Sequence, residues 1–381
     1  MSVAELLEGK RVCVCAGSGG VGKTTTSAAV ALGMAARGAR VAVVTIDPAR
    51  RLANALGLEE LQNELRRVES ERLAMNGLEM RGELWAMMLD PKRTFDELID
   101  RVAPDPVRAA EIKANRVYGE LSTAVSGSQE FTAIAKLYDL YQEEKFDLLV
   151  LDTPPSRNAL DFLDAPGRLT SFLEGRALKA FVRPTGVGMR VLGRGAVPLL
   201  AGVRRVTGVD LVTDLSTFFQ LLGDTTNDFS LRAAEVQKLL MASTTAFLLV
   251  SSAQREPIDE AIWFRRTLED SGMPFAGVVV NRVHHDLLGD SEPDDLSAVL
   301  ARKLGRDLAG KVAANFRDYH VLARRDRHNI GRLERELAGR PLLLIPHLDD
   351  DVHDVEGLLR MHRYLFASRA EREQLIAEVV A

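Results

Sequence analysis

Six short apolar runs recur along the chain, and each stops at a glycine, polar or proline-containing step. Arg11 to Ala16 (RVCVCA) stops at Gly17, Arg40 to Ile46 (RVAVVTI) at Asp47-Pro48, and Phe146 to Leu151 (FDLLVL) at Asp152-Thr153-Pro154-Pro155. Thr245 to Val250 (TAFLLV) runs into Ser251-Ser252, Phe275 to Val280 (FAGVVV) into Asn281-Arg282, and Pro341 to Ile345 (PLLLI) into Pro346-His347. Continuous apolar runs of this length suit strands buried on both faces, and helix-like segments separate them. Repeated β-α units of this kind predict an α/β fold, a doubly wound, mostly parallel sheet with helices on both sides. Leu84 to Leu89 (LWAMML) is a candidate for one more strand. Two stretches, 92–142 and 158–241, have helical spacing without comparable strand runs. The organisation expected is one domain over 1–381, carrying those two stretches as an inserted helical subdomain above the ligand-binding edge. In such sheets ligands bind where the strands end, so the polar punctuation of every run faces one edge.

The first of those ends carries the chemistry. Gly17-Ser18-Gly19-Gly20-Val21-Gly22-Lys23-Thr24 fits G-x-x-x-x-G-K-[ST], and Thr25 and Thr26 follow. A polyphosphate needs several backbone N–H groups pointing inward, and residues without Cβ let the chain wrap that closely. Lys23 adds a point charge near the β- and γ-phosphates, and the Thr24 hydroxyl suits Mg²⁺. The motif lies between an apolar run and a segment of helical composition, Lys23 to Arg37, which is the strand–loop–helix setting that a P-loop NTPase requires.

Composition narrows the class. The chain has 381 residues, 46% hydrophobic and 27% charged, with a formal net charge of −5. That is a globular composition, and the acidic balance argues against nucleic acid as a partner. No apolar run reaches the roughly 18 residues of a membrane span, and the first ten residues (MSVAELLEGK) lack the basic-then-apolar order of a secretory signal. A cytoplasmic protein is expected. The only two cysteines, Cys13 and Cys15, share one face of the first strand, where buried packing is the expectation.

Taken together, GSGGVGKTTT, TIDPARRLANALG, LDTPPSRNALDFLDAP and VVVNR resemble the family of arsenical pump-driving ATPases and the related targeting ATPases of tail-anchored membrane proteins. The resemblance implies a Mg²⁺-dependent ATPase. In it Asp47 orients the attacking water, Asp152 holds Mg²⁺ with Thr24, Asn281 reads the adenine, and the turn at Pro346-His347 walls the base. Phosphoryl transfer needs a positioned nucleophile and metal rather than covalent help, which independently suits the first two roles. With one P-loop per chain, the resemblance implies a homodimer whose closure handles a hydrophobic or membrane-protein client. The alternatives are a nucleotide-gated dimerisation switch with little hydrolysis, of MinD or ParA type, and the motor of an arsenite efflux pump.

Three departures qualify the resemblance. Ser18 stands where relatives carry a lysine that reaches the partner's phosphates, and Arg50, Arg51 and Arg157 are candidates to supply that charge as an arginine finger. No Cys-x-x-Cys exists to share a structural zinc between subunits, and two strand cysteines make a poor soft-metalloid site. In the helical half, residues 166–209 hold eight basic residues and one acidic residue among apolar patches and helix breakers, which suits contact with a client or a membrane surface. Phe218 to Leu222 is read as core, and Glu371 to Ala381 as a terminal helix.

Overall fold

The computed structural model describes residues 1–46, 51–58, 60–75, 77–116, 118–119, 128–154, 217, 221, 226–286, 293–348, 352 and 354–380. The basic stretch 166–209, nearly all of Phe218 to Leu222, and Asp47, Arg50 and Arg157 lie outside them.

Each predicted apolar run forms a strand: β1 (Val12–Ala16), β2 (Arg40–Thr45), β5 (Leu148–Asp152), β6 (Thr245–Ser252), β7 (Phe275–Val283) and β8 (Leu342–Pro346). The additional candidate is β4 (Glu83–Met88), and the short β3 (Arg66–Arg67) went unread because two consecutive arginines carry no apolar signal. The eight strands are ordered β3-β4-β2-β5-β1-β6-β7-β8, all parallel except the edge pair β3 and β4. The P-loop strand is therefore central, between β5 and β6.

Alternation along the strands feeds two separate cores. Cys13, Cys15, Val41, Val43, Val150 and Leu248 point to one side, against α2 (Lys23–Ala36) and α12 (Val355–Phe366). Val12, Val14, Val44, Leu151 and Leu249 point to the other, against α7 (Ser128–Gln142), α8 (Thr226–Met241), α9 (Arg255–Asp270) and α11 (Arg306–Leu337). Helices on both faces make the sheet doubly wound, as expected. Both cysteines are free and fully buried, with their Sγ atoms 4.0 Å apart. Their shared hydrogen bond, then burial, holds the Cys13 thiol well above its ordinary pKa, so it is a packing group rather than a nucleophile.

Between residues 92 and 142 lie α5 (Pro91–Val102), α6 (Pro106–Ala114) and α7. Asp90 and Asp105 cap the first two through the N–H groups of Arg93 and Arg108, each with proline at the first helical position. Asp139 of α7 takes Arg101 of α5 at 2.5 Å and also pairs with Arg232 of α8, so one carboxylate joins helices from both insertions. Elsewhere α10 (Pro293–Leu304) and α11 form a helical pair between β7 and β8, and α13 (Arg369–Val380) is the expected terminal helix. No described helix is long and apolar enough to cross a membrane.

Candidate functional site

The loop leaving β1 turns tightly for a geometric reason. A Cβ on Gly17 would fall 2.0 Å from the Val250 carbonyl oxygen of β6, so only glycine fits between the strands. At Gly22, φ is 95° and a Cβ would meet Asn281 Nδ2 at 2.4 Å. Gly22 is also the N-cap of α2, whose first residues, Lys23 and Thr24, are buried at the mouth of the loop. Lys23 folds back, and its Nζ donates to the Ser18 carbonyl at 2.7 Å. This closes the glycine cradle around a cation at the positive end of a helix, a combination suited to phosphate.

Behind the cradle sits a buried polar cluster. Asp152, at the end of β5, is 1% exposed, and its Oδ2 accepts from Thr24 Oγ1 and Thr45 Oγ1, each at 2.8 Å. Thr153 is tied to β1 through its hydroxyl and amide, both donated to the Cys15 carbonyl. Thr45 is the last residue of β2 and faces Asp152 in register, so two adjacent strand ends and a helix start converge on one carboxylate. Hydroxyl and carboxylate oxygens are the donor set of a hard divalent cation, and Thr24 with Asp152 fits Mg²⁺ on that chemistry.

The opposite wall is made by β7, which runs past the expected end at Val280 as far as Val283. Asn281 thus belongs to the strand rather than following it, because pairing with β8 resumes at Val283 with Pro346 after a register shift. Arg282 sits in that irregularity with φ at 58°, an uncommon conformation for a residue with a side chain. Bulges of this type re-aim neighbouring side chains. Here Asn281 Oδ1 accepts from the Arg282 amide at 3.0 Å, its Nδ2 donates to the Val21 carbonyl at 3.0 Å, and Arg282 Nη1 donates to the Gly20 carbonyl at 3.4 Å. The end of β7 is thereby laced to the P-loop.

These pieces enclose a cleft of about 640 Å³. Of the residues expected from sequence, Gly19, Gly20, Gly22, Lys23, Thr24, Thr25, Asn281 and Pro346 line it. Gly17, Val21 and Asp152 support that lining from behind, and Asp47 lies outside the described residues. Arg51, the first residue of α3 (Arg51–Ala55), also lines the cleft, alone among the three candidate arginines in being described. Ser18 is engaged elsewhere: its hydroxyl donates to Glu260 of α9. Sequence reasoning missed Thr45, Arg282 and Glu260 as members of the site, together with Val352 and Met361, which line the cleft from the C-terminal part of the chain.

A glycine cradle on the central strand of a doubly wound sheet, backed by a threonine–carboxylate cluster, defines a P-loop nucleotide-binding protein. The chain belongs to the anion-transporting ATPase family, whose model matches residues 10–327. It is similar to ATPase GET3 of Malassezia globosa, 30% identical over 42% of this chain and 43% of that protein, and to an arsenical pump-driving ATPase of Acidiphilium multivorum, 30% identical over 42% of this chain and 26% of that one. A longer match, to ATPase get3 of Schizosaccharomyces japonicus, is 24% identical over 80% of this chain and 83% of the relative. In the first of these matches the chain spans less than half the length of its relative.

Proposed function

We propose that this protein is a Mg²⁺-dependent ATPase that works as a homodimer and uses ATP binding and hydrolysis to handle a hydrophobic or membrane-protein client. The observation that carries this reading is the convergence of Lys23, Thr24, Thr45 and Asp152 on one edge of the sheet behind the glycine cradle. In this reading the P-loop amides and Lys23 hold the β- and γ-phosphates. Asn281, with Pro346, receives the adenine. Thr24 and Asp152 would hold Mg²⁺, which would neutralise phosphate charge. Asp47, on the segment after β2, orients the water that attacks the γ-phosphate, and Arg51 supplies positive charge that Ser18 does not.

The two helical insertions, 92–142 and 158–241, act as one subdomain that answers to the nucleotide. The shared carboxylate of Asp139, reached by an arginine from each insertion, supports that reading. The GET3 relatives are named as ATPases, which favours hydrolysis of the nucleotide. The full burial of both thiols weighs against an arsenite-activated motor.

The test is steady-state ATP hydrolysis with Mg²⁺ for the wild type and for Asp47→Asn, with light scattering reporting assembly in the same samples. Turnover lost in Asp47→Asn and stimulated by a hydrophobic helical peptide is the expected result. A second reading, a dimerisation switch with little hydrolysis, draws on the Ser18 hydroxyl being tied to Glu260 rather than facing the cleft. ATP-dependent dimerisation without turnover in either protein selects that switch and overturns the first reading.

A further inference from the structure

His347 lines the cleft and is exposed, but one face of its ring is covered by a second histidine. The ring of His284, which follows β7, stacks on it with centroids 5.1 Å apart and planes 24° from parallel. His284 is itself held from behind. Its Nδ1 lies 2.7 Å from Asp326 Oδ2, its backbone amide donates to the same oxygen at 3.1 Å, and Tyr319 meets its ring edge-on at 5.3 Å. Asp326 lies on α11, is 1% exposed, and takes the Arg325 guanidinium on its other oxygen. One residue pair further out, Asp286 takes His320 and Arg327 of the same helix. A buried carboxylate so fully engaged has no freedom to move, and neither has the imidazole it fixes.

We propose that Asp326 is a positioning residue for the nucleotide base, acting through His284 to hold the His347 ring as a stacking surface in the cleft. The proposal rests on the reading above that the base sits between Asn281 and the Pro346-His347 turn. It adds a specificity device supplied by α11, an element remote in sequence from the P-loop. The tight hydrogen bond sets the His284 plane, the stack transmits that plane to His347, and the outer face of His347 meets the base. An aromatic pair of this kind is worth about a three- to tenfold change in affinity.

The experiment compares calorimetric binding of Mg²⁺-ATP and Mg²⁺-tripolyphosphate, which lacks base and sugar, to the wild type and to Asp326→Ala, His284→Leu and His347→Ala. The wild type is expected to prefer ATP, and each variant to lose about three- to tenfold of that preference. Tripolyphosphate binding, unaltered in the variants, separates a base effect from general damage to the fold. If Asp326→Ala is too unstable to assay, His284→Leu gives the same contrast at the end of β7. Loss of preference in His347→Ala but not in the other two overturns the relay and leaves the base reading standing. A His347→Ala variant that keeps the preference overturns the relay, and a wild type with no preference for ATP over tripolyphosphate overturns the base reading and the relay with it.

Discussion

Thr45→Val is the most discriminating single change to the site. Valine has the shape of threonine, so the substitution removes one hydroxyl and places a methyl 2.8 Å from where Asp152 Oδ2 accepts its bond. Hydrogen bonds to charged groups are worth about 1.5–3 kcal/mol, and the upper half applies here because Asp152 is 1% exposed and water has little access to replace the donor. Thr45→Ser keeps the hydroxyl and loses one buried methyl, at a cost of about 1 kcal/mol. Urea unfolding of both variants, fitted with a common m-value, reads the difference directly. The valine variant is expected to be the less stable of the two, and to need more Mg²⁺ for half-maximal turnover because the carboxylate has lost the Thr45 hydroxyl. A serine variant as unstable as the valine variant would mean that packing, not the hydroxyl–carboxylate bond, holds this corner.

Gly33 lies on α2 where a Cβ would come 2.1 Å from the Phe366 ring of α12, so Gly33→Ala should lower stability by about 1–3 kcal/mol or more, with partial recovery in Gly33→Ala/Phe366→Leu, both read by urea midpoints. Gly22→Ala places a Cβ against Asn281 Nδ2 at a φ of 95°, and should weaken nucleotide binding by about five- to a hundredfold by calorimetry, through strain of about 1–3 kcal/mol at the cradle. Burial first, then Arg37 and Arg363, lower the His362 pKa from 6.5 to about 4. Between those values the unfolded chain binds the proton and the folded one does not, so stability present at pH 7 declines as pH falls toward 4, by about 3 kcal/mol at most, and His362→Gln should flatten that slope in urea midpoints measured from pH 7 to pH 4.5.

The apolar runs made the parallel sheet legible because a strand buried on both faces needs nothing but apolar residues, and because a polar residue can follow only where the strand leaves the core. Asp152 and Asn281 stood out on those grounds. Thr45 did not, since inside RVAVVTI a threonine is an ordinary β-branched strand residue, and its role exists only through β5 being its neighbour. The Arg282 bulge was hidden because left-handed backbone at a residue other than glycine leaves no mark in composition. Asp326 sits in RRDRHN, where the charges read as a solvated helix face, and its burial depends on the close approach of the segment after β7. Glu260 was equally silent, 242 positions from the serine that it binds. The local, strand-ending part of the site was therefore readable, and the part made by contacts across the sheet was not.

The C-terminal placement of the cleft's far wall sets the shortest chain that can work. A polypeptide ended at residue 327 would keep the P-loop, Asp152 and Asn281, yet it would stop partway along α11, losing the buried Ile330, Leu333 and Leu337. It would also lack β8 and α12, and with them Pro346, His347, Val352 and Met361 of the cleft. The hydrogen-bonding edge of β7 would then face water as an open, apolar template for pairing with another chain. Expression trials that trim the gene to its nucleotide-binding motifs should therefore yield aggregate rather than a minimal ATPase.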